Sequence, residues 1–303
     1  MSQPSDSPSS PLKVPAYAVK CMGLCIPPIF ARAGAATVLG DTSKGVFLQH
    51  KSGQVCFVSG EVFCGPITIN LHRMLDFKGL FTLGEKCQIL GDRLDCSGCQ
   101  ILIESDTPIW EPPPIRFKKR ELSQAVLRGI NLERHLIRQY EDGFFFPFLD
   151  KLAGHSSAMD RENFRDWIPG LKGEGDLFHQ LPGLIGFGRG LTPAGDDFIC
   201  GFLLAQYYLG KIFPSPQNQE NFSDHIAALA QAETTALSAT LIRCAAQGAG
   251  DERVLNALRW IAQGDMDMNK VREELLSYGS SSGLDALAGM LAAILHQQGI
   301  QPS

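Results

Sequence analysis

Between residues 16 and 105 the apolar positions come in short runs, each closed by a glycine, serine or aspartate. GVFLQHKSGQVCFVSG (residues 45–60) reads as two strands joined at Lys51–Ser52–Gly53, and GPITINL (65–71) reads as another. CQILGDRLDCSGCQILIES (87–105) adds strands around turns at Gly91–Asp92 and Ser97–Gly98. Several short strands at close spacing predict a β-rich barrel or sandwich-like part over residues 16–113. DTPIWEPPPI (106–115) ends it, because consecutive prolines can join neither a helix nor a sheet ladder. Over residues 114–303 the period becomes helical. KKRELSQAVLRGI (118–130) and LERHLIRQYEDG (132–143) are amphipathic, with Asn131 as the expected N-cap of the second. Stronger helical runs cover 193–209, 224–246 and 284–296, and a weaker one covers 251–262, whereas 154–182 gives no clear period. The expected fold class is α+β, a β-rich N-terminal part followed by a mainly α-helical C-terminal part. Residues 1–15, rich in Ser and Pro, are expected to be a disordered tail.

Composition acts mainly by exclusion. The 303 residues carry a formal net charge of −5, which argues against nucleic acid or an anionic membrane as partner. The basic cluster Arg116, Lys118, Lys119 and Arg120 reads as a solvated helix face. No apolar core of a secretory signal opens the chain, and the apolar run 198–209 falls short of the about 18 residues a membrane span needs. A cytoplasmic protein is expected. Nine cysteines lie in apolar strand-like and helical segments, as reduced cysteines do. Cys21/Cys25 and Cys96/Cys99 are close pairs without zinc-knuckle context, so core and turn roles and no stoichiometric zinc are expected, with Cys96/Cys99 the first suspects otherwise.

GFGRGLTPAGDDFICGF (186–202) sets glycines, an arginine and two acids against an apolar helix. Thr192 followed by Pro193 reads as a helix start, and Asp196 and Asp197 fall in the first turn, where the helix dipole favours negative charge. Capping alone accounts for part of this. Gly186, Gly188 and Gly190 also free backbone amides to face a ligand, and Arg189 adds a donor fork suited to phosphate or carboxylate. Neither a GxxxxGK[ST] loop nor a full GxGxxG fingerprint is present, so nucleotide binding by those routes is not expected.

SYGSSSGLDALAGMLAAIL (277–295) repeats the design: a Gly/Ser loop with Ser281 and Ser282, Asp285 in the first turn, then an apolar helix. Ala286, Gly289 and Ala293 line one helix face with small residues, permitting a close helix crossing that would bring the two loops together. Between them, AETTALSATLIRCAAQGAG (232–250) places Thr234, Thr235, Ser238 and Thr240 inside an apolar helix. Such hydroxyls either bond back to helix carbonyls or line a pocket.

These blocks carry a resemblance. GxGxGLTPxGDDxxxG, met by residues 186–201, is similar to the hallmark of the family of the AllH-type subunit of oxamate carbamoyltransferase, and the two later blocks follow in that family's order. The resemblance implies one subunit of a multi-subunit enzyme of purine (allantoin) catabolism, interconverting oxalurate plus phosphate with oxamate plus carbamoyl phosphate. It implies other carbamoyltransferase subunits as partners. The chain departs from the family at Ser280, where a histidine is common; if that histidine is catalytic, this is a divergent or noncatalytic member. On this reading a small anionic substrate binds at facing helix N-termini. Gly188, Arg189, Gly190, Thr192, Thr235, Ser238, Ser281 and Ser282 are the ligand-binding candidates, and Asp196, Asp197 and Asp285 the catalytic ones. No cofactor is required. Two rival readings remain: a hydrolase holding Mg²⁺ between Asp196, Asp197 and Asp285, and a noncatalytic assembly subunit.

Overall fold

The computed structural model describes residues 14–136, 143–154, 164–171, 177–213 and 218–300. Residues 1–13 of the expected tail, and residues 155–163 and 172–176 of the unassigned stretch, therefore lie outside the described residues. The architecture is α+β.

The short strands close on one another. In chain order they are β1 (Ala16–Gly23), β2 (Gly34–Thr42), β3 (Gly45–His50), β4 (Val55–Ser59), β5 (Thr68–Leu71), β6 (Lys86–Ile89), β7 (Arg93–Asp95), β8 (Gln100–Leu102) and β9 (Ile109–Trp110). The sheet runs β5-β4-β3-β2-β6-β7-β8-β1, and β1 also pairs antiparallel with β5 through Val19↔Leu71 and Met22↔Ile69, which makes a barrel of eight strands. Closure leaves no free edge among these eight strands, the usual liability of a sheet of short strands. β9 attaches to β1 in parallel. Inward residues alternate along the strands: Val38, Val46, Leu48, Ile69, Ile89, Leu94 and Ile101 fill the barrel core. Two short helices, α1 (Ile26–Phe30) and α2 (Phe77–Leu80), interrupt the strand run.

The helical part contains α3 (Leu122–Leu136), α4 (Phe146–Gly154), α5 (Leu177–Gln180), α6 (Ala194–Gly210), α7 (Asn218–Glu233), α8 (Ala236–Ala246), α9 (Glu252–Gln263), α10 (Met268–Leu276) and α11 (Ser282–Ile300). Three readings from the sequence change. Asn131 is not at a helix start, because α3 runs through it without a break. The helix expected over 224–246 is two helices, α7 and α8, parted at Thr234–Thr235. Thr235 is the N-cap of α8, its hydroxyl accepting from the Ser238 N–H at 3.1 Å. α4 and α10 add to the helices expected from the sequence.

α6 and α11 form the centre of the helical core and are buried on nearly every side. Their crossing is unusually close. A Cβ on Gly201 would lie 1.9 Å from the Ala286 carbonyl oxygen, and one on Gly289 would lie 1.9 Å from that of Phe198. The small-residue stripe of α11 is thus what lets the two backbones touch. A third apolar cluster joins the two parts: Val55 and Ile67 of the barrel pack with Leu237, Cys244 and Ala249 of the helical part. Among the described residues, no helix is long and apolar enough to cross a membrane.

Candidate functional site

Because α6 and α11 cross near their N-termini, the two Gly/Ser loops meet. The hydroxyls of Thr192 and Ser282 share a hydrogen bond at 3.3 Å. Thr192 is therefore not the cap of α6. Pro193 holds the N-cap position, with no side-chain cap bond, and the helix begins at Ala194. The first-turn amides are used inside the protein, Gly195 N–H donating to the Phe187 carbonyl at 2.8 Å and Asp196 N–H to that of Pro193 at 2.9 Å.

Asp196 is a clamp on the glycine loop. One carboxylate oxygen accepts from the Gly186 N–H at 2.8 Å and the other from the Thr234 hydroxyl. Gly186 has φ +71°, a conformation that suits glycine and aims its amide at the acid. Thr235 holds the next part of the loop, its hydroxyl donating to the Leu191 carbonyl at 2.8 Å. The break between α7 and α8 therefore positions the loop, while Ser238 is buried behind it. Burial raises the Asp196 pKa, against the pull of the Gly186 amide and of the Thr234 and Ser238 hydroxyls.

Asp197 is 3% exposed, and burial pushes its pKa up to about 8. The neighbouring charges of Asp285 and Asp196 add to the rise, while the Ser282 and Thr192 hydroxyls oppose it. A shift of this size favours the neutral form of the carboxyl around pH 7. Asp197 lines a cavity of about 20 Å³, room for one water, that also touches Asp251 and Tyr278. Asp285 is 1% exposed with its pKa raised to about 6, chiefly by burial, while Ser281 and the Phe145 backbone pull the other way. Among the described residues, Asp196, Asp197 and Asp285 do not form a set with oxygens all within 4.8 Å of one another.

Above the paired helix ends opens a cleft of about 650 Å³, the size of a small-molecule site. Its helical wall carries Leu191, Thr192, Leu237, Leu241, Tyr278, Gly279, Ser280 and Ser282, and its barrel wall Lys44, Phe47, Phe57, Glu61 and Thr68. Of the ligand-binding candidates, Thr192 and Ser282 line this cleft, whereas Gly188, Arg189, Gly190, Thr235, Ser238 and Ser281 do not. Gly188, Arg189 and Gly190 are exposed. None of the three catalytic candidates lines the cleft; they lie beneath its floor.

The sequence reading missed an ionic group at one end of the cleft. Arg253, 5% exposed at the start of α9, bonds both oxygens of Asp251 (2.8 and 2.9 Å) and approaches Glu61 of the barrel at 3.4 Å. Its guanidinium lies over Phe63 at 4.7 Å and Tyr278 at 5.3 Å. Burial works against its charge, but Asp251 and Glu61 outweigh burial and hold its pKa above the ordinary value. Glu61 also pairs with Lys44 at 3.6 Å, and the Lys44 ammonium donates to the Ser277 carbonyl just before the second loop. Arg253 also donates its backbone N–H to the carboxylate of Asp251, the N-cap of α9, at 3.0 Å. Nothing local announced its barrel partners. Arg253→Lys keeps the charge but loses the planar fork, and is expected to destabilise the chain by about 1–2 kcal/mol. Urea-unfolding midpoints check this, an unchanged midpoint refuting the role of the fork.

The segment that carries both loops, the α7–α8 break and Arg253 is also the part of the chain that is similar to a known family. Residues 184–294 match the model of oxamate carbamoyltransferase subunit AllH. The resemblance read from the glycine loops is borne out over that span. Comparison with curated proteins and with solved structures gives no match. The AllH segment takes in the helical wall of the cleft, the three aspartates and Asp251; the barrel wall, with Lys44 and Glu61, lies outside it.

Proposed function

We propose that the chain is a subunit of an oxamate carbamoyltransferase-like enzyme, and that its cleft binds a small anionic substrate over the paired starts of α6 and α11. The observation that carries this reading is the meeting of Thr192 and Ser282 on the floor of a 650 Å³ cleft, within the segment that matches AllH. Their hydroxyls, the dipole of α11 and the Lys44 ammonium are donors suited to carboxylate, amide carbonyl or phosphate oxygens. A protonated Asp197 beneath them adds no negative charge to repel such a ligand.

The reaction would be oxalurate plus phosphate giving oxamate and carbamoyl phosphate. A phosphate oxygen attacks the ureido carbonyl, and the C–N bond to the oxamate nitrogen breaks as that nitrogen takes a proton. Negative charge develops on the carbonyl oxygen, which is where hydroxyl and amide donors lower the barrier. The remaining subunits of such an enzyme are the expected partners, and no nucleic acid or membrane enters the reaction.

Calorimetric titration with oxamate, phosphate and carbamoyl phosphate tests the cleft. Ser282→Ala and Lys44→Met are each expected to weaken binding about tenfold, equivalent to about 1.4 kcal/mol. Affinity unchanged in both variants would remove the cleft as the binding site. Carbamoyl transfer measured with and without the other subunits tests the subunit reading separately.

A further inference from the structure

The cleft leaves one chemically dense cluster unused. Strands β6, β7 and β8 are three or four residues long and follow one another through tight turns. Cys96 and Cys99 flank the Ser97–Gly98 turn, the Cys96 N–H donating to the Cys99 carbonyl at 2.9 Å. The antiparallel pairing of β6 with β7 sets Gln88 opposite Asp95, which brings the preceding Cys87 to the same end of the ladder as Cys96. The ligand atoms of Glu85, Cys87 and Cys96 lie within 4.8 Å of one another, with the Glu85 carboxylate 4.0 Å from the Cys87 sulfur. Cys87 and Cys99 are fully buried.

We propose that Glu85, Cys87, Cys96 and Cys99 form a binding site for a soft divalent cation of the zinc type. Three sulfurs and one carboxylate oxygen make a four-donor set that suits zinc and disfavours magnesium or calcium. A tetrahedral zinc ion needs these donors about 3.5–4 Å apart, a contraction of about 1 Å at most for Glu85, Cys87 and Cys96, with Cys99 closing in from across the Ser97–Gly98 turn as the fourth donor. Glu85 is already oriented as a metal-binding carboxylate is, by backbone donors behind it: the Ser97 N–H at 2.6 Å and the Thr82 N–H at 3.0 Å. None of the four residues lines the cleft, so the ion is structural, tying together three strands too short to bury much on their own. The pairings suspected from the sequence do not form a quartet, because the Cys21 sulfur lies 3.4 Å from that of Cys64 and the Cys25 sulfur 3.4 Å from that of Cys244. Strand pairing supplies Cys87 and Glu85 in their place.

The test is titration of the chelator-treated, fully reduced full-length chain with Co²⁺, followed by Zn²⁺. The expected result is one cobalt per chain, with sulfur-to-cobalt charge-transfer absorption in the near ultraviolet and tetrahedral bands in the visible, all removed by one equivalent of Zn²⁺. Cys96→Ser, at a half-buried position, is expected to lower the charge-transfer intensity. Glu85→Gln is expected to keep that absorption and weaken metal affinity about tenfold or more. Absence of charge-transfer absorption in the reduced wild type would overturn the proposal, as would absorption undiminished in Cys96→Ser, which would assign the metal to other thiols. The wild-type titration needs no variant, so a misfolded Cys96→Ser leaves the test standing.

Discussion

Gly289→Ala is expected to destabilise the protein by about 3 kcal/mol or more, although alanine is the better helix former by about 1 kcal/mol. The added methyl would stand 1.9 Å from the Phe198 carbonyl oxygen and 2.8 Å from the Phe202 nitrogen, both backbone atoms of α6 that no rotamer change can move aside. The helices must separate, and the fully buried Phe198, Phe202, Leu287 and Leu291 around the crossing then lose contact. Gly201→Ala meets the reciprocal obstacle at the Ala286 carbonyl and is expected to behave alike. Gly183→Ala is the control, since nothing lies within 4 Å of its added carbon. Chemical-denaturation midpoints at constant slope check all three, and a loss below about 1 kcal/mol in Gly289→Ala would deny the close crossing. Separation also pulls Thr192 from Ser282, so any folded fraction of Gly289→Ala is expected to bind anions more weakly than the wild type.

That crossing shows what the sequence makes legible. Ala286, Gly289 and Ala293 could be read as a small-residue face because helical period is local, and the meeting of the two loops follows from it. The barrel was legible for the same reason: its turns at Lys51–Ser52–Gly53, Gly91–Asp92 and Ser97–Gly98 are written in adjacent residues. What stayed hidden was long-range or rested on a choice between partners. Lys44 and Glu61 join the cleft from loops of the barrel, which no periodicity in the helical segment can announce. Thr192 had the composition of a cap, but its hydroxyl found Ser282 instead. Thr235 looked like a mid-helix hydroxyl because the residues around it are good helix formers, whereas its bond to Leu191 requires the chain to break there. The acids at 196 and 197 are adjacent in the sequence yet differ in employment: one holds the glycine loop, the other is buried under the cleft with its pKa raised to about 8.

Asp197→Asn is expected to stabilise the protein at pH 9 and to leave it nearly unchanged at pH 4. The folded-state pKa of Asp197 is raised from an ordinary value of 3.8 to about 8, so the folded chain keeps a proton that the unfolded chain has released. The stability this group contributes is fully present below about pH 4, falls as pH rises through the window up to about 8, and is constant above it. An asparagine of the same shape carries no charge to bury, so the variant escapes that loss, by about 3–5 kcal/mol at pH 9. Asp285, with a folded pKa of about 6, leaves a residual slope of the same sign at lower pH in both proteins. Urea-unfolding free energies at pH 5, 7 and 9 check this, and parallel pH profiles for wild type and variant would show that Asp197 is ionised in the fold. The same proton bears on ligand binding. At pH 7 wild type and Asp197→Asn are expected to bind anions alike, both presenting a neutral group beneath Thr192 and Ser282. Above pH 8 the wild-type carboxylate ionises under the helix ends and repels the ligand, so wild-type affinity is expected to fall while that of Asp197→Asn holds. Equal loss of affinity in both proteins between pH 7 and 9 would place the responsible group elsewhere in the cleft.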